Sequence, residues 1–238
     1  MSRVLSYPIS AVLWLLGIGF LAPFCVLYLF LSLFFAPRTL NPLVRLVARG
    51  VLIAAGQRLQ IQGPFPAPQD GPYIYMFNHC SLLDTFVLIT AVPEFMGAVG
   101  KAEQFDVPIW GQVLRRWGVV PVQRDALEEA IESLQTAAEV HASGLSLLIS
   151  PEGTRSRDGR LGPFKKGPFH LALAGQATIV PLIIGGAYAS KRKGSWLIRP
   201  GRLSIRVAPL VVVRGAEFSS VEALRDEVRG MFLRQGCP

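Results

Sequence analysis

A short stretch of the chain, residues 76–84 (MFNHCSLLD), contains residue types that can do acid–base chemistry. His79 follows an apolar run typical of a strand, and Asp84 comes five residues later. If a helix begins just after the turn, the Asp84 side chain leans back towards His79. The carboxylate can then hydrogen-bond one imidazole nitrogen and fix the tautomer, which leaves the other nitrogen available as a general base.

Simpler interpretations of the same stretch stay open at this point. Ser81 and Asp84 have the spacing of a capping box, so they can serve the helix alone, beside a histidine that is merely buried. Cys80 is a second candidate nucleophile. Neighbouring side chains in extended backbone point to opposite faces, so a Cys80–His79 pair is not expected. We predict that Cys80 is a small buried thiol.

A second stretch, residues 149–167 (ISPEGTRSRDGRLGPFKKG), follows an apolar strand pattern and has the composition of an ordered loop. Its cations are opposed only by Glu152 and Asp158, and they are Arg155, Arg157, Arg160, Lys165 and Lys166. Arginine offers phosphate oxygens a planar fork, and lysine offers them a point charge. The loop is therefore a candidate anion-binding site.

Two further cations could join this loop. Arg124 ends the stretch GVVPVQR at the close of another predicted strand, and Lys101 stands near Glu103. Each of these charges alone is most simply a solvated surface group. Together, and beside a histidine–carboxylate pair, they indicate a site for a phosphorylated substrate.

The elements that must position these residues alternate between strands and helices, which predicts an α/β fold with a mixed sheet. Strands are expected at 58–62, 73–77, 119–122, 145–149, 179–184, 203–207 and 210–213. Helices are expected at 43–55, 82–92, 126–142 and 168–174, with a last one opening near 219–222. The first of these helices has Asn41-Pro42 as its expected start, with arginines on one side and apolar residues on the other.

The chain begins with an uncharged stretch from Val4 to Pro37, bracketed by Arg3 and Arg38. As one helix of about 34 residues it would be about 51 Å long, whereas the hydrocarbon layer of a bilayer is about 30 Å thick. Pro23 offers a break. We therefore predict a membrane-inserted helical hairpin over residues 1–38, followed by an α/β domain over 39–238.

The composition of the chain limits the classes of partner that it is expected to bind. The chain is 51% hydrophobic and carries a formal charge of +8, which favours an anionic partner such as a membrane surface, a phosphorylated substrate or nucleic acid. No nucleic-acid-binding motif is present, so no nucleic-acid partner is expected. The cysteines Cys25, Cys80 and Cys237 are too few and too scattered for a disulfide framework or a metal site.

Four blocks in order give the chain a family resemblance. Asn-His-x-Ser-x-x-Asp spans residues 78–84, and Gly118–Arg124 follows. Pro-Glu-Gly-Thr-Arg-Ser spans residues 151–156, and Val-Pro-Leu spans residues 180–182. This pattern resembles the PlsC-like glycerolipid acyltransferases, a family that includes 1-acyl-sn-glycerol-3-phosphate acyltransferases. The resemblance covers residues 73–185.

The resemblance implies transfer of a fatty acyl group from acyl-CoA or acyl carrier protein to the sn-2 hydroxyl of lysophosphatidic acid. It implies a mostly parallel sheet flanked by helices, His79 as base and Asp84 as its partner. Acceptor binding falls, by the same resemblance, to Glu152, Gly153, Thr154 and Arg155. We expect Arg155 and Arg124 to hold the acceptor phosphate, with Lys101 and then Lys165 as further candidates. It implies no metal or redox cofactor. Location at the cytoplasmic face of the cell membrane agrees with the basic residues that follow Arg38.

Three other functions remain open from the residues. The acceptor can be another lysolipid, such as a lyso-ornithine lipid or another lysophospholipid. The same histidine and carboxylate can serve a hydrolase that gives the acyl group to water. Lastly, the charge can serve a membrane- or nucleic-acid-binding module without catalysis.

Overall fold

The structure is a computed structural model that describes residues 3–123, 127–213, 218 and 220–237. The strands in these ranges are β1 (Gln57–Gln62), β2 (Tyr73–Phe77), β3 (Met96–Lys101), β4 (Val119–Val122), β5 (Ser146–Ile149), β6 (Thr178–Gly185), β7 (Gly201–Val207) and β8 (Val211–Val212). The helices are α1 (Arg3–Leu31), α2 (Pro37–Ala54), α3 (Asp84–Ala91), α4 (Trp110–Trp117), α5 (Leu127–Ala142), α6 (Gly167–Ala174), α7 (Ala187–Ser190) and α8 (Val221–Arg234). Short 3₁₀ turns cover Pro68–Asp70 and Ala102–Asp106.

The described strands form one mixed sheet, in the order β1-β7-β6-β2-β5-β3-β4, with β8 beside β6. The strands from β6 through β2, β5 and β3 to β4 pair in parallel, while β7 and β8 run antiparallel to β6. The predicted class, a mixed and mostly parallel sheet flanked by helices, is confirmed. Pro121 lies in β4, an edge strand, which is where a proline within a sheet is tolerated.

The central strand β2 lies inside the sheet, and all five of its residues are buried. Its side chains alternate: Ile74 and Met76 join one apolar cluster, and Tyr73, Tyr75 and Phe77 join the other. The first cluster contains side chains of α5, α6 and α8, and the second contains side chains of α2 and α3. The sheet is thus covered by helices on both faces, as a parallel sheet requires.

The N-terminal segment differs from its prediction. α1 is one unbroken helix through Pro8 and Pro23, so the hairpin expected to fold at Pro23 within residues 1–38 is wrong. A proline in a helix removes one backbone hydrogen bond, but the rest of the helix keeps its own hydrogen bonds. The chain reverses after Leu31 instead, and α2 returns to pack against α1.

Three elements escaped the sequence patterns, namely β3, α4 and the short helix α7, and one was displaced. β3 contains Gly97 and Gly100 and lacks alternation, so it gave no strand signal. α4 was also missed. α2 begins at Pro37, not at Asn41-Pro42, because Pro37 already occupies the first helical turn, where a proline is tolerated.

The fourth sequence block lies inside the sheet. Val180, Pro181 and Leu182 are buried in the middle of β6, and Pro181 is the register partner of Met76 on β2. Its carbonyl accepts a hydrogen bond from the Ala208 amide at 3.0 Å. This block therefore supports the sheet, and its Leu182 is the register partner of Phe77, the last residue of β2.

Candidate active site

The candidate site lies at the carboxyl edge of the parallel strands. β2 ends at Phe77, directly before Asn78 and His79, and β5 ends at Ile149, directly before the basic loop. β2 and β5 pair in parallel, so their carboxyl ends meet at the same edge. This edge is where open α/β sheets bind their ligands.

His79 and Asp84 form a hydrogen-bonded pair. His79 Nδ1 lies 2.8 Å from Asp84 Oδ2, as their spacing predicted. The Asp84 side chain is fully buried, while 21% of the His79 side chain is exposed. A carboxylate only accepts hydrogen bonds, so the contact places the proton on Nδ1 and the lone pair on Nε2.

The turn between the two residues wraps around the same carboxylate oxygen. The backbone amides of Cys80 and Ser81 each donate to Asp84 Oδ2 at 2.8 Å. Ser81 Oγ accepts from the Leu83 amide at 3.2 Å. Part of the expected capping box is thus present, although α3 begins at Asp84 itself. Asp84 therefore serves the helix and the imidazole together.

The thiol of Cys80 is unsuited to nucleophilic attack. It is buried, and burial first and the nearby Asp84 second raise the pKa of Cys80 to about 12. Its sulfur accepts a weak hydrogen bond from Asn78 Nδ2 at 3.7 Å. Since the thiolate is the reactive form, the prediction of an inert buried thiol agrees with this environment.

The third sequence block holds the backbone of His79 on both sides. The His79 amide donates to Glu152 Oε1 at 2.9 Å, and its carbonyl accepts from the Ser156 amide at 2.7 Å. The other Glu152 oxygen accepts from the Gly162 amide at 2.8 Å. Burial raises the pKa of Glu152, and these two amides oppose that shift. The resemblance put Glu152 in acceptor binding, but both of its oxygens are engaged within the protein.

The residues between these two anchors form the acceptor-binding candidates. Gly153 has a φ of +70°, which a residue with a side chain adopts only at a cost. Thr154 is exposed and Arg155 is half-buried. Lys193 donates to Thr154 Oγ1 at 2.9 Å and to the Arg155 carbonyl at 3.1 Å. Sequence reasoning missed Lys193, although the run Lys-Arg-Lys at 191–193 was a signal.

The two remaining cations are placed differently. Lys101 is the last residue of β3, at the same carboxyl edge, and its ammonium pairs with Glu103 as the sequence suggested. Arg124 follows β4 in the sequence and lies outside the described residues. The expected link between Arg124 and the site therefore stays a prediction.

Asn78 has a structural part in the site that the motif alone did not reveal. Its side-chain amide bonds both backbone groups of Ile184 on β6: Nδ2 donates to the carbonyl at 2.9 Å, and Oδ1 accepts from the amide at 2.7 Å. Asn78 is buried. This clamp fixes the end of β2 against β6 immediately before His79.

An apolar cleft lies between the N-terminal helices and the sheet. Its walls come from α1, α2, α3, α4, β3, β4 and β5, and include Leu21, Phe24, Val47, Ile89 and Trp110. Thr85, the neighbour of Asp84, also lines it. The cleft thus connects the apolar helices with the start of α3.

The sequence of the chain is similar to those of known acyltransferases. The sequence model described as "Acyltransferase" matches residues 58–185, more than half of the chain. A Limnanthes douglasii protein named 1-acyl-sn-glycerol-3-phosphate acyltransferase is 39% identical over 137 residues, which cover 57% of this chain and 49% of that protein. An Ovis aries protein named 1-acyl-sn-glycerol-3-phosphate acyltransferase alpha is 29% identical over 192 residues, 80% of this chain and 67% of that protein.

The fold also has a solved counterpart. The crystal structure of the 1-acyl-sn-glycerophosphate (LPA) acyltransferase PlsC from Thermotoga maritima superimposes with a TM-score of 0.83. The match covers 99% of this chain and 96% of that one, at 23% identity, and therefore concerns the fold alone. In sequence, the chain spans about half the length of the plant relatives it matches, 49% and 44% for the Limnanthes douglasii and Cocos nucifera proteins.

Proposed function

The chain belongs to the acyltransferase family, and from that premise we propose that it acylates the sn-2 hydroxyl of lysophosphatidic acid to give phosphatidic acid. The acyl donor is acyl-CoA or acyl carrier protein. The observation that carries the proposal is the His79–Asp84 pair at 2.8 Å, with the basic loop hydrogen-bonded to the backbone of His79. The names of the similar proteins, which are 1-acyl-sn-glycerol-3-phosphate acyltransferases, support the choice of acceptor.

In the proposed reaction His79 acts as the general base. Nε2 removes the proton of the acceptor hydroxyl as its oxygen attacks the thioester carbonyl, and Asp84 stabilises the imidazolium that forms. The tetrahedral intermediate then expels the thiolate, which takes the proton back from His79. A thioester is already activated, so no covalent acyl-enzyme is needed, in agreement with the buried, protonated thiol of Cys80. The chemistry calls for no metal or redox cofactor.

The acceptor phosphate is assigned to the basic loop. Arg155 is the main ligand, because its backbone is held beside His79 by the neighbouring Ser156 amide. A guanidinium can bind two phosphate oxygens at once. Gly153 and Thr154 shape the approach, while Lys101 and Arg124 add positive charge. Glu152 is assigned a positioning role in place of direct acceptor contact, since its oxygens are taken by amides.

Both substrates of this reaction carry long acyl chains and dissolve in membranes. α1 includes a run, Ser6–Leu31, that is long and apolar enough to cross a bilayer. We assign α1 and α2 to the membrane, at the cytoplasmic face, and the apolar cleft to an acyl chain. Thr85 in the cleft wall is adjacent to Asp84, so a chain seated there leads towards the reacting carbonyl.

An acceptor panel tests the proposal. Purified protein in mixed micelles is given labelled oleoyl-CoA with lysophosphatidic acid, lysophosphatidylglycerol, a lyso-ornithine lipid or monoacylglycerol. We expect labelled phosphatidic acid as the main product, and we expect Arg155→Ala to reduce its formation far more than acylation of monoacylglycerol. Arg234→Ala, which removes an exposed arginine paired with Glu227 on α8, is the matched control.

Each contrary result points to a specific alternative. Preference for another lysolipid would show that the acceptor is that lipid, while acyl transfer would still be the reaction. Release of free fatty acid, unaffected by Arg155→Ala, would make the protein a hydrolase. If the thioester is not turned over with any acceptor, the protein is better explained as a binding module without catalysis.

A further inference from the structure

The loop after α7 connects the membrane helix to the basic loop of the site. We call residues 191–198 the strap. Its ends are closed by a backbone hydrogen bond from the Arg199 amide to the Ser190 carbonyl at 2.9 Å. Gln57 Nε2 donates to the Arg199 carbonyl at 2.9 Å, which ties this base to β1. The strap is thus a closed loop on a fixed base.

One side of the strap is fastened to α1. Trp14 Nε1 donates to the Trp196 carbonyl at 2.6 Å, and the Ser10 hydroxyl lies 3.0 Å from the amide and 3.1 Å from the carbonyl of Ile198. The Lys191 ammonium lies 5.7 Å from the centre of the Trp14 ring, within cation–π range. These contacts join residues more than 170 positions apart in the sequence, so they bind the helix to the strap directly.

The other side of the strap reaches the proposed phosphate site. Lys193 donates to the Thr154 hydroxyl and to the Arg155 carbonyl, at 2.9 and 3.1 Å. The loop is already anchored to His79 on either side of these residues, through Glu152 and Ser156. Lys193 therefore fixes the part of the loop between those anchors, and it fixes it to a segment that α1 holds.

We propose that Lys193 is a positioning residue for the acceptor, through which the strap makes the placement of Arg155 depend on the seating of α1 in the membrane. This inference rests on the proposed function, because Arg155 is taken to hold the acceptor phosphate. When α1 is seated, Trp14 and Ser10 hold the strap, and Lys193 keeps Arg155 ready for a phosphate. When that connection is lost, the chemistry at His79 remains intact but the acceptor is bound more weakly.

Steady-state kinetics on vesicles test the proposal with three variants. Lys193→Met removes the contact to Thr154 and Arg155, Lys193→Arg can restore it, and Trp14→Phe keeps an aromatic ring but removes the donor to Trp196. We expect Lys193→Met and Trp14→Phe to raise the KM for lysophosphatidic acid by on the order of tenfold, the scale of one charge-assisted hydrogen bond. We expect kcat and the KM for oleoyl-CoA to stay within about twofold.

The remaining variants distinguish a positioning role of Lys193 from a general loss of folding. Arg234→Gln removes an exposed arginine that pairs with Glu227 on α8 and should change nothing. Lys193→Arg should recover most of the acceptor affinity, and the double variant Lys193→Met/Trp14→Phe should be no worse than either single one, because both interrupt one connection. Vesicle cosedimentation must show that Trp14→Phe still binds membranes.

Several outcomes would overturn the inference: equal losses in kcat and in both KM values, an additive double variant, or an unchanged acceptor KM in Lys193→Met. If the unaltered protein does not acylate lysophosphatidic acid, the proposed function fails. The strap is then tested by amide hydrogen exchange, which should accelerate at residues 153–156 in Lys193→Met and Trp14→Phe but not in Arg234→Gln. Unchanged exchange at residues 153–156 would contradict the claim that the strap fixes this part of the basic loop.

Discussion

At the scale of single residues, the site depends on one carboxylate that does two tasks. Asp84 Oδ2 accepts hydrogen bonds from the His79 ring and from the amides of Cys80 and Ser81. The turn that brings His79 into place is therefore folded around the group that orients its ring. Spacing in the sequence predicted the pair, whereas the convergence of three donors on one oxygen depends on turn geometry that spacing does not specify.

The carboxylate is tested by Asp84→Asn. An amide offers one acceptor oxygen and cannot stabilise an imidazolium as a carboxylate does, so we expect kcat to fall by roughly 10²–10⁴-fold. The acceptor KM should stay within a few-fold, because phosphate binding is assigned elsewhere. Initial rates of phosphatidic acid formation measure both. A kcat near that of the unaltered protein would mean that His79 needs no carboxylate partner.

The inertness of Cys80 gives a second residue-scale prediction. Cys80→Ala removes a small buried thiol that the mechanism does not use, so kcat should stay within about threefold, with some loss of stability from the lost volume. Mass spectrometry after rapid quenching with oleoyl-CoA should find no acylated protein. Loss of activity with normal folding, or an acylated Cys80, would replace direct transfer with a covalent mechanism.

At the scale of elements, the site depends on strands being held in register at their carboxyl ends. The amide of Asn78 bonds both backbone groups of Ile184, so it fastens the end of β2 to β6. Asn78→Ala leaves a buried N–H and a buried carbonyl without these partners, and we expect a loss of about 2–4 kcal/mol in unfolding free energy. Denaturant unfolding measures it, and Gln60→Ala on exposed β1 is the control. A change of less than about 0.5 kcal/mol in the free energy of unfolding would show that the Asn78–Ile184 hydrogen bonds do not stabilise the fold.

Elements with a strong pattern were predictable, and those held by tertiary contacts were not. The predicted spans of β2 and β4 match the structure, because each has an apolar run bounded by turn residues. β3 gave no signal, since two of its six residues are glycine and its place depends on pairing with β5 and β4. The break expected at Pro23 was wrong because the rest of the helix keeps its own hydrogen bonds. The contact of Lys193 with Thr154 joins distant segments, and no local pattern encodes it.

At the scale of the whole molecule, α1 carries a concentration of exposed apolar side chains. Leu15 is 74% exposed, and Leu16, Ile18, Leu27 and Phe30 are also exposed. Leu15→Glu should leave the fold intact but reduce binding to anionic vesicles by roughly tenfold or more, because a charge is costly at membrane depth. Leu233→Glu, at an exposed position of α8, is the matched control. Unchanged cosedimentation of Leu15→Glu would contradict the assignment of α1 to the membrane.

A buried histidine far from the proposed chemistry should govern acid stability. His141 lies near the end of α5, its Nδ1 has no partner among the described residues, and burial lowers its pKa. The unfolded chain then binds more protons below about pH 6.5, so stability falls as pH drops from there towards the lowered pKa, by up to about 1.4 kcal/mol per pH unit. His141→Phe should flatten this dependence in denaturant titrations. An unchanged slope in the variant would remove His141 as its source.

The most direct test of the central claim compares two histidines in one assay. His79→Ala removes the proposed base, and His170→Ala removes an exposed histidine on α6. Initial rates of phosphatidic acid formation from lysophosphatidic acid and labelled oleoyl-CoA are measured for both, with circular dichroism to confirm the fold. We predict a fall in kcat of roughly 10²–10⁴-fold for His79→Ala and no change for His170→Ala. A folded His79→Ala protein that keeps its rate would contradict the account.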